Sequence, residues 1–261
     1  MGRIKSLLNL FGVSPGAGSR ALRGLGPYRA NKRAFMAQYQ ASSTKDFPPG
    51  KLYPCLTDRY EESSGALGVY FVQDLYVAQL VHANNPRRHV DVGSRVDGFV
   101  GSVASFRHVD VLDFRPLTSV HRNIAFIQAD LMAKDFKHQG ITDSLSCLHT
   151  LEHFGLGRYG DPVNYDGWKL GFDNLASMLT PGGTFYFSTP ISERQRFEFD
   201  AHRVFNIQTH LALFEGRLDV RSFAYIDDQD RLHTRVDPTG TDARRTFGLN
   251  YGCALWELVK R

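Results

Sequence analysis

The sequence predicts an α/β fold of Rossmann-like type, a mostly parallel seven-stranded sheet with helices on both faces, and three observations carry that prediction. The first is Arg88-His-Val-Asp-Val-Gly-Ser-Arg-Val-Asp-Gly-Phe-Val-Gly-Ser-Val-Ala104, where a short β run stops at Gly93 and helical spacing resumes from Phe99. A strand, a tight glycine turn and a helix N-terminus together gather backbone N–H groups around a ligand. The second is Val109-Asp-Val-Leu-Asp113, which ends in an acid twenty positions past Gly93, where such folds offer a carboxylate to ribose hydroxyls. The third is the regular alternation of strand-like and helix-like segments that follows.

Taken in order, Met1 to Gly12 shows Ile4, Leu7, Leu8 and Phe11 at helical spacing beside Arg3 and Lys5. That pattern suits a short helix packed on its own domain or laid on an anionic membrane. Residues 13–30, rich in Gly, Ser and Pro, read as a linker, and Asn31 to Ala41 as a helix. Pro48, Pro49 and Pro54 mark a loop over 46–58, and Tyr70 to Ala83 has clear helical periodicity. Residues 1–86 are expected to form a helical and loop extension capping the cleft, with the sheet domain at 87–261. Its strands are expected at His89–Val92, Val109–Leu112, Ile124–Gln128, Ser144–His149 and Thr184–Ser188. A helix over Asp166–Met178 is closed by Leu179-Thr-Pro-Gly-Gly183. Two later strands, near Leu218–Ile226 and Tyr251–Val259, would pair as a closing antiparallel hairpin.

The 261 residues are 42% apolar and carry a net charge of +4, enough for a proper core and too mild and interspersed for a nucleic-acid partner. No apolar run approaches a membrane span. Three widely spaced cysteines without C-x-x-C patterning point to a reducing, cytoplasmic setting, with the N-terminal helix as a candidate peripheral contact at the inner membrane face.

The glycines discriminate between ligands. Gly93 and Gly98 satisfy a G-x-x-x-x-G spacing, but Phe99 and Val100 stand where a P-loop needs Lys and Ser or Thr. The dinucleotide pattern fails because Arg95 replaces its second glycine, whose absence of a side chain admits the pyrophosphate. What survives is an adenosine ligand without phosphates, and S-adenosylmethionine fits.

In register, these motifs resemble those of class I S-adenosylmethionine-dependent methyltransferases. The matching stretches are Asp91-Val-Gly93, Asp113, Asp130, Leu151-Glu-His153 and Leu179-Thr-Pro-Gly-Gly-Thr-Phe-Tyr-Phe-Ser-Thr-Pro190. The segment Glu152-His-Phe-Gly-Leu-Gly-Arg-Tyr-Gly-Asp-Pro162 further resembles a branch associated with bacterial surface-polysaccharide functions. The resemblance implies that Asp91 and Gly93 line the methionine end, Asp113 holds the ribose, and Asp130 with Leu131 meets the adenine, with Gly98 also a cofactor-binding position. His149 would lie beside the sulfonium and the acceptor. Where the family pattern has glycines this chain has Arg95 and Asp97, so Arg95 either pairs with the methionine carboxylate or plugs the pocket.

An alcohol acceptor needs a base near neutral pKa. His149 or His202 is the candidate, with Asp200 orienting it. Glu152, His153, Arg158, Tyr159 and Arg203 are the candidate contacts to a small-molecule or glycan acceptor. Phe197 and Phe199 could stack on a sugar. Two rivals stand beside the O-methyltransferase. One is a non-catalytic Rossmann-like module of a glycan assembly with a degenerate cofactor site. The other is a zinc hydrolase reading of His149-Thr-Leu-Glu-His153, disfavoured because His149 follows a β run rather than a helix. No metal is expected.

Overall fold

The computed structural model describes residues 15–43, 49, 52, 54–60, 68–118, 121–199 and 201–261. The chain divides into two compact units, Met1–Ala66 and Leu67–Arg261. Met1 to Gly12, with its proposed membrane contact, lies outside the described residues. No helix among the described residues is long and apolar enough to cross a membrane.

In the first unit, helix α1 runs over Pro15–Ala41 and so takes in most of the stretch read as a linker. Ala21, Leu22, Arg23 and Leu25 are good helix formers, and they carry the helix across Pro27 despite the glycines around them. At Gly24 the missing side chain leaves room for the carbonyl of Leu56. Arg23 lies over the Tyr60 ring, 5.1 Å from its centroid.

The second unit opens with helix α2, Val69–Asn84, stopped by Asn85 in the left-handed region at φ 38°. Its buried side, Gln73, Val77, Ala78 and Val81, joins the core of this unit, so the division falls before the helix rather than at residue 86. The main sheet then has the order β3-β2-β1-β4-β5-β10-β8-β9. Strands β1 (His89–Val92), β2 (Val109–Asp113), β3 (Ile124–Gln128), β4 (Thr142–Leu148) and β5 (Leu179–Ile191) are parallel. Strand β10 (Gly252–Lys260) runs antiparallel between β5 and β8 (Leu218–Ile226), as the expected closing hairpin requires. The sheet has eight strands rather than seven, because Leu232–His233 adds a short edge strand, β9. A separate two-stranded ribbon pairs β6 (Arg196–Glu198) with β7 (His202–Val204).

Alternate strand residues point to opposite faces, and the core divides accordingly. Val90, Val92, Phe185, Phe187 and Trp256 face the layer of helices α4 (Gly167–Met178) and α5 (Ile207–Phe214). Val109, Val111, Tyr186 and Leu255 face α2 and the short helix α3 (Gly101–Ala104). Parallel strands covered on both faces, with one antiparallel strand inserted near the end of the sheet, make this the Rossmann-like class I methyltransferase fold. The chain leaves β1 toward β2 and β3, then returns to build β4 and β5 on its other side. A crevice therefore opens at the carboxyl ends of β1 and β4.

Candidate functional site

That crevice is a cavity of about 740 Å³, within the range of small-molecule sites. Its floor is the turn after β1. Gly93 holds φ +72°, and Thr150 occupies the space a Cβ would need. A left-handed backbone and a close neighbour both require glycine there. Asp91 is fully buried beneath the turn. Its Oδ1 accepts from Ser146 Oγ at 2.5 Å and Ser94 Oγ at 2.8 Å, and its Oδ2 from Ser94 N at 3.0 Å. Burial pushes its carboxyl up to about 6 against those hydrogen bonds. Asp91 therefore braces the turn from behind and does not itself line the cavity.

Arg95 and Asp97, the two departures from the glycine pattern, pair with each other. Arg95 Nε and Nη2 donate to the two Asp97 oxygens at 3.0 and 2.7 Å. The side chains are 78% and 72% exposed, so the guanidinium is committed to a solvent-facing fork and the hollow stays open. Gly98 then takes a non-helical φ −121°, ψ −111° before helix α3 begins.

Two neighbouring strand ends supply the next acids. Asp113 closes β2 with both oxygens in a fork to Arg115, Oδ1 to Nε at 3.1 Å and Oδ2 to Nη2 at 2.8 Å. Arg115 also lies over the Tyr159 ring, 4.5 Å from its centroid, and Arg158 lies 5.1 Å from the same ring. After β3, Asp130 Oδ1 accepts from Met132 N at 2.8 Å, and Asn174 Nδ2 donates to the carbonyls of Leu131 and Ala133 at 2.7 and 2.9 Å. That clamp holds the buried Leu131 side chain against the cavity.

The wall contributed by the loop after β4 is histidine-rich. His149 follows β4 at φ +49°. Its Nδ1 lies 2.9 Å from Glu152 Oε1 and its Nε2 lies 3.2 Å from Cys253 Sγ. Burial opposes a charge on this ring, but Cys253 and the Glu152 carboxylate push its pKa well above the usual imidazole range. Both ring nitrogens of His149, the expected base, are therefore engaged by neighbouring side chains. His153, in the short 3₁₀ turn Leu151–His153, differs. Its Nδ1 donates to the Ala201 carbonyl at 2.7 Å, since a carbonyl only accepts, which leaves Nε2 with a lone pair. Nε2 stands 4.0 Å from Glu152 Oε1. Glu152 Oε2 is buried without a hydrogen-bond partner among the described residues.

Of the site residues expected from sequence, the cavity wall brings together Gly93, Arg95, Gly98, Asp113, Asp130 and Leu131 with His149, His153, Arg158 and Tyr159. Glu152 lies behind the wall, holding His149. His202 is off the wall, with Glu198 Oε2 and Tyr251 Oη each 3.3 Å from its Nε2, and burial lowers its pKa. Its expected partner, Asp200, lies outside the described residues. Arg203 is a correction: its buried guanidinium donates to the carbonyls of Glu152, Phe154 and Tyr165 at 3.3, 2.7 and 3.0 Å, which makes it a strut and not an acceptor contact. The two histidines of the H-x-x-E-H pattern sit at a strand end and in a 3₁₀ turn rather than on one helix face. Among the described residues no three His, Cys, Asp or Glu side chains converge on a metal position.

Sequence reading missed Tyr70, Gln73 and Asp74 on α2, and Cys253 on β10. The signal for two of these was present, since Gln73 and Asp74 interrupt an otherwise apolar helix start.

A family profile described as "Caenorhabditis protein of unknown function, DUF268" matches residues 116–237, and that description names no substrate. Among curated proteins none matches the chain. Solved structures similar to it include the N-methyltransferase NodS from Bradyrhizobium japonicum with S-adenosyl-L-homocysteine. It is 16% identical, over 73% of this chain and 85% of that one, at a TM-score of 0.47. A second is the 1,6-didemethyltoxoflavin-N1-methyltransferase of Burkholderia thailandensis, 13% identical over 95% and 91% of the two chains at 0.46. A third is the [4+2]-cyclase SpnF, 13% identical over 71% and 80% at 0.48.

Proposed function

We propose that the chain is an S-adenosylmethionine-dependent methyltransferase acting on a hydroxyl acceptor of carbohydrate or glycan-linked type. The observation that carries the reading is the open cavity at the strand-order reversal, walled by Asp113 and Asp130 on neighbouring strand ends and floored by the Gly93 turn. These residues suit an adenosine: a carboxylate for the ribose, a clamped loop with an apolar side chain for the base, and acids where a pyrophosphate would be repelled.

Asp113 would hold the ribose hydroxyls, sharing its oxygens with the Arg115 fork, while Asp130 and Leu131 would meet the adenine edge and face. When bound, S-adenosylmethionine supplies a methyl group on a positively charged sulfur. The protein is left to align the acceptor, exclude water and remove its proton. His153 is the residue suited to that last task. The Ala201 carbonyl holds Nδ1 as the donor, which leaves Nε2, 4.0 Å from Glu152 Oε1, as the accepting nitrogen of the neutral ring. Phe197 and Phe199, 60% and 74% exposed on the β6–β7 ribbon, are the candidate faces for a sugar. The rival non-catalytic module depended on Arg95 filling the hollow, and the exposed Arg95–Asp97 fork speaks against it.

Titration calorimetry tests the reading. Binding of S-adenosylmethionine and S-adenosylhomocysteine at one per chain is the expected result. No heat with either at millimolar concentration would overturn it.

A further inference from the structure

We propose that Asp74, on helix α2, is the anchor for the positively charged ammonium group at the amino-acid end of the cofactor. The inference rests on the methyltransferase reading and adds to it a binding residue from outside the sheet and its turns.

Asp74 lines the cavity, whereas Asp91, the acid of the first turn, is sealed beneath it with both oxygens occupied. The Asp74 carboxylate lies directly on that turn: a Cβ added to Gly98 would come within 2.6 Å of its Oδ2. The glycine at position 98 is therefore what lets a carboxylate approach the bare backbone. Asp74 Oδ1 accepts from Gln73 Nε2 at 3.1 Å, which fixes the side chain's direction. Gln73 is itself pinned, because its Oε1 accepts from Ser188 Oγ at 2.6 Å and faces Cys253 Sγ at 3.5 Å. A buried chain of contacts thus runs from β5 and β10 to this one carboxylate.

The electrostatic surroundings favour a cation as the partner. Asp74 is close enough to add to the cost of ionising Asp91. Burial raises the Asp74 pKa, opposed by its bonds from Gln73 and the Phe99 amide and by the charges of His149 and Arg95. Of those two cations, Arg95 is committed to Asp97 and His149 to Glu152 and Cys253. Two partly or wholly desolvated carboxylates beside one turn lack a dedicated counterion among the described residues. An ammonium group supplies one and makes a charge-assisted hydrogen bond.

The test compares S-adenosylhomocysteine with 5′-methylthioadenosine, which shares the nucleoside and sulfur but lacks the amino-acid end. In calorimetry, Asp74→Asn is expected to weaken S-adenosylhomocysteine binding by about tenfold or more while leaving 5′-methylthioadenosine within about twofold of wild type. Retained 5′-methylthioadenosine binding also shows that the variant is folded. Asp113→Ala, by contrast, should weaken both ligands. The proposal is overturned if Asp74→Asn binds S-adenosylhomocysteine as wild type does, or if it loses both ligands equally. Wild-type protein that binds the two ligands equally well removes the Asp74 assignment alone. Wild-type protein that binds neither removes the methyltransferase reading and this assignment with it.

Discussion

Two groups of residues line the cavity, and they are built differently. Gly93, Asp113 and Asp130 come from the carboxyl ends of three strands adjacent in the sheet, all within residues 89–130. Tyr70, His149, His153 and the Cys253 behind them come from α2, the loop after β4 and β10. The first group is made of backbone turns and acids at fixed offsets from strands. The second is made of side chains that meet only when distant segments pack. On the proposed function, changes in the first group should act on nucleoside binding, and changes in the second on transfer.

The comparison would break most visibly at Gly93. Gly93→Val puts a branched side chain at φ +72° against Thr150, and we expect loss of S-adenosylhomocysteine binding together with about 2–4 kcal/mol of stability, read by calorimetry and urea unfolding. Binding by this variant close to wild type would mean that the turn does not shape the site. Next, Asp113→Ala should weaken S-adenosylhomocysteine by about 100-fold, whereas His153→Gln should move it less than about threefold while abolishing methyl transfer. Equal losses in the two variants would erase the distinction between the two groups.

A pH titration sharpens the same contrast within the buried core. Burial holds His89 and His210 neutral, with pKa values pushed down to about 3 from 6.5, while it pushes Asp91 up to about 6 from 3.8. Between pH 6 and 4 the unfolded chain therefore binds two more protons at the histidines and one fewer at Asp91. The histidines outweigh the acid, and stability should fall by about 1.4 kcal/mol for each pH unit of acidification in that window. Urea unfolding at pH 6, 5 and 4 checks this; a rise in stability would mean that Asp91 dominates. The smallest effect belongs to Arg95→Gly, which restores the family's glycine. Because the guanidinium faces solvent, S-adenosylhomocysteine affinity should change by less than about threefold.

Strands β1 to β5 were legible because each contains a short apolar run closed by a turn signal, with an acid at or just past the close of β2 and β3, whereas the start of β5 at Leu179–Gly183 was hidden by the proline and glycines that read as a helix stop. The helical stretch before Asn31 was not, since glycine and proline masked the alanine, leucine and arginine between them. Arg203 reads in sequence as an acceptor contact, and nothing in its sequence neighbourhood reveals the three carbonyls brought to it by the loop over residues 152–165. His149 and His153 are four positions apart and look alike in sequence. What separates them is Cys253 against one ring and the Ala201 carbonyl against the other, both supplied by distant chain. Hydrogen-bonding roles depend on such partners, so the proposed choice between the two rings could not be made from sequence.

Strand β10, drawn from residues 252–260, lies between β5 and β8, and it alone ties the β8–β9 edge to the rest of the sheet. Its first residues also reach the cavity wall, where Cys253 Sγ lies 3.2 Å from His149 Nε2 and 3.5 Å from Gln73 Oε1. One late segment thus both closes the sheet and steadies the polar side chains that border the hollow.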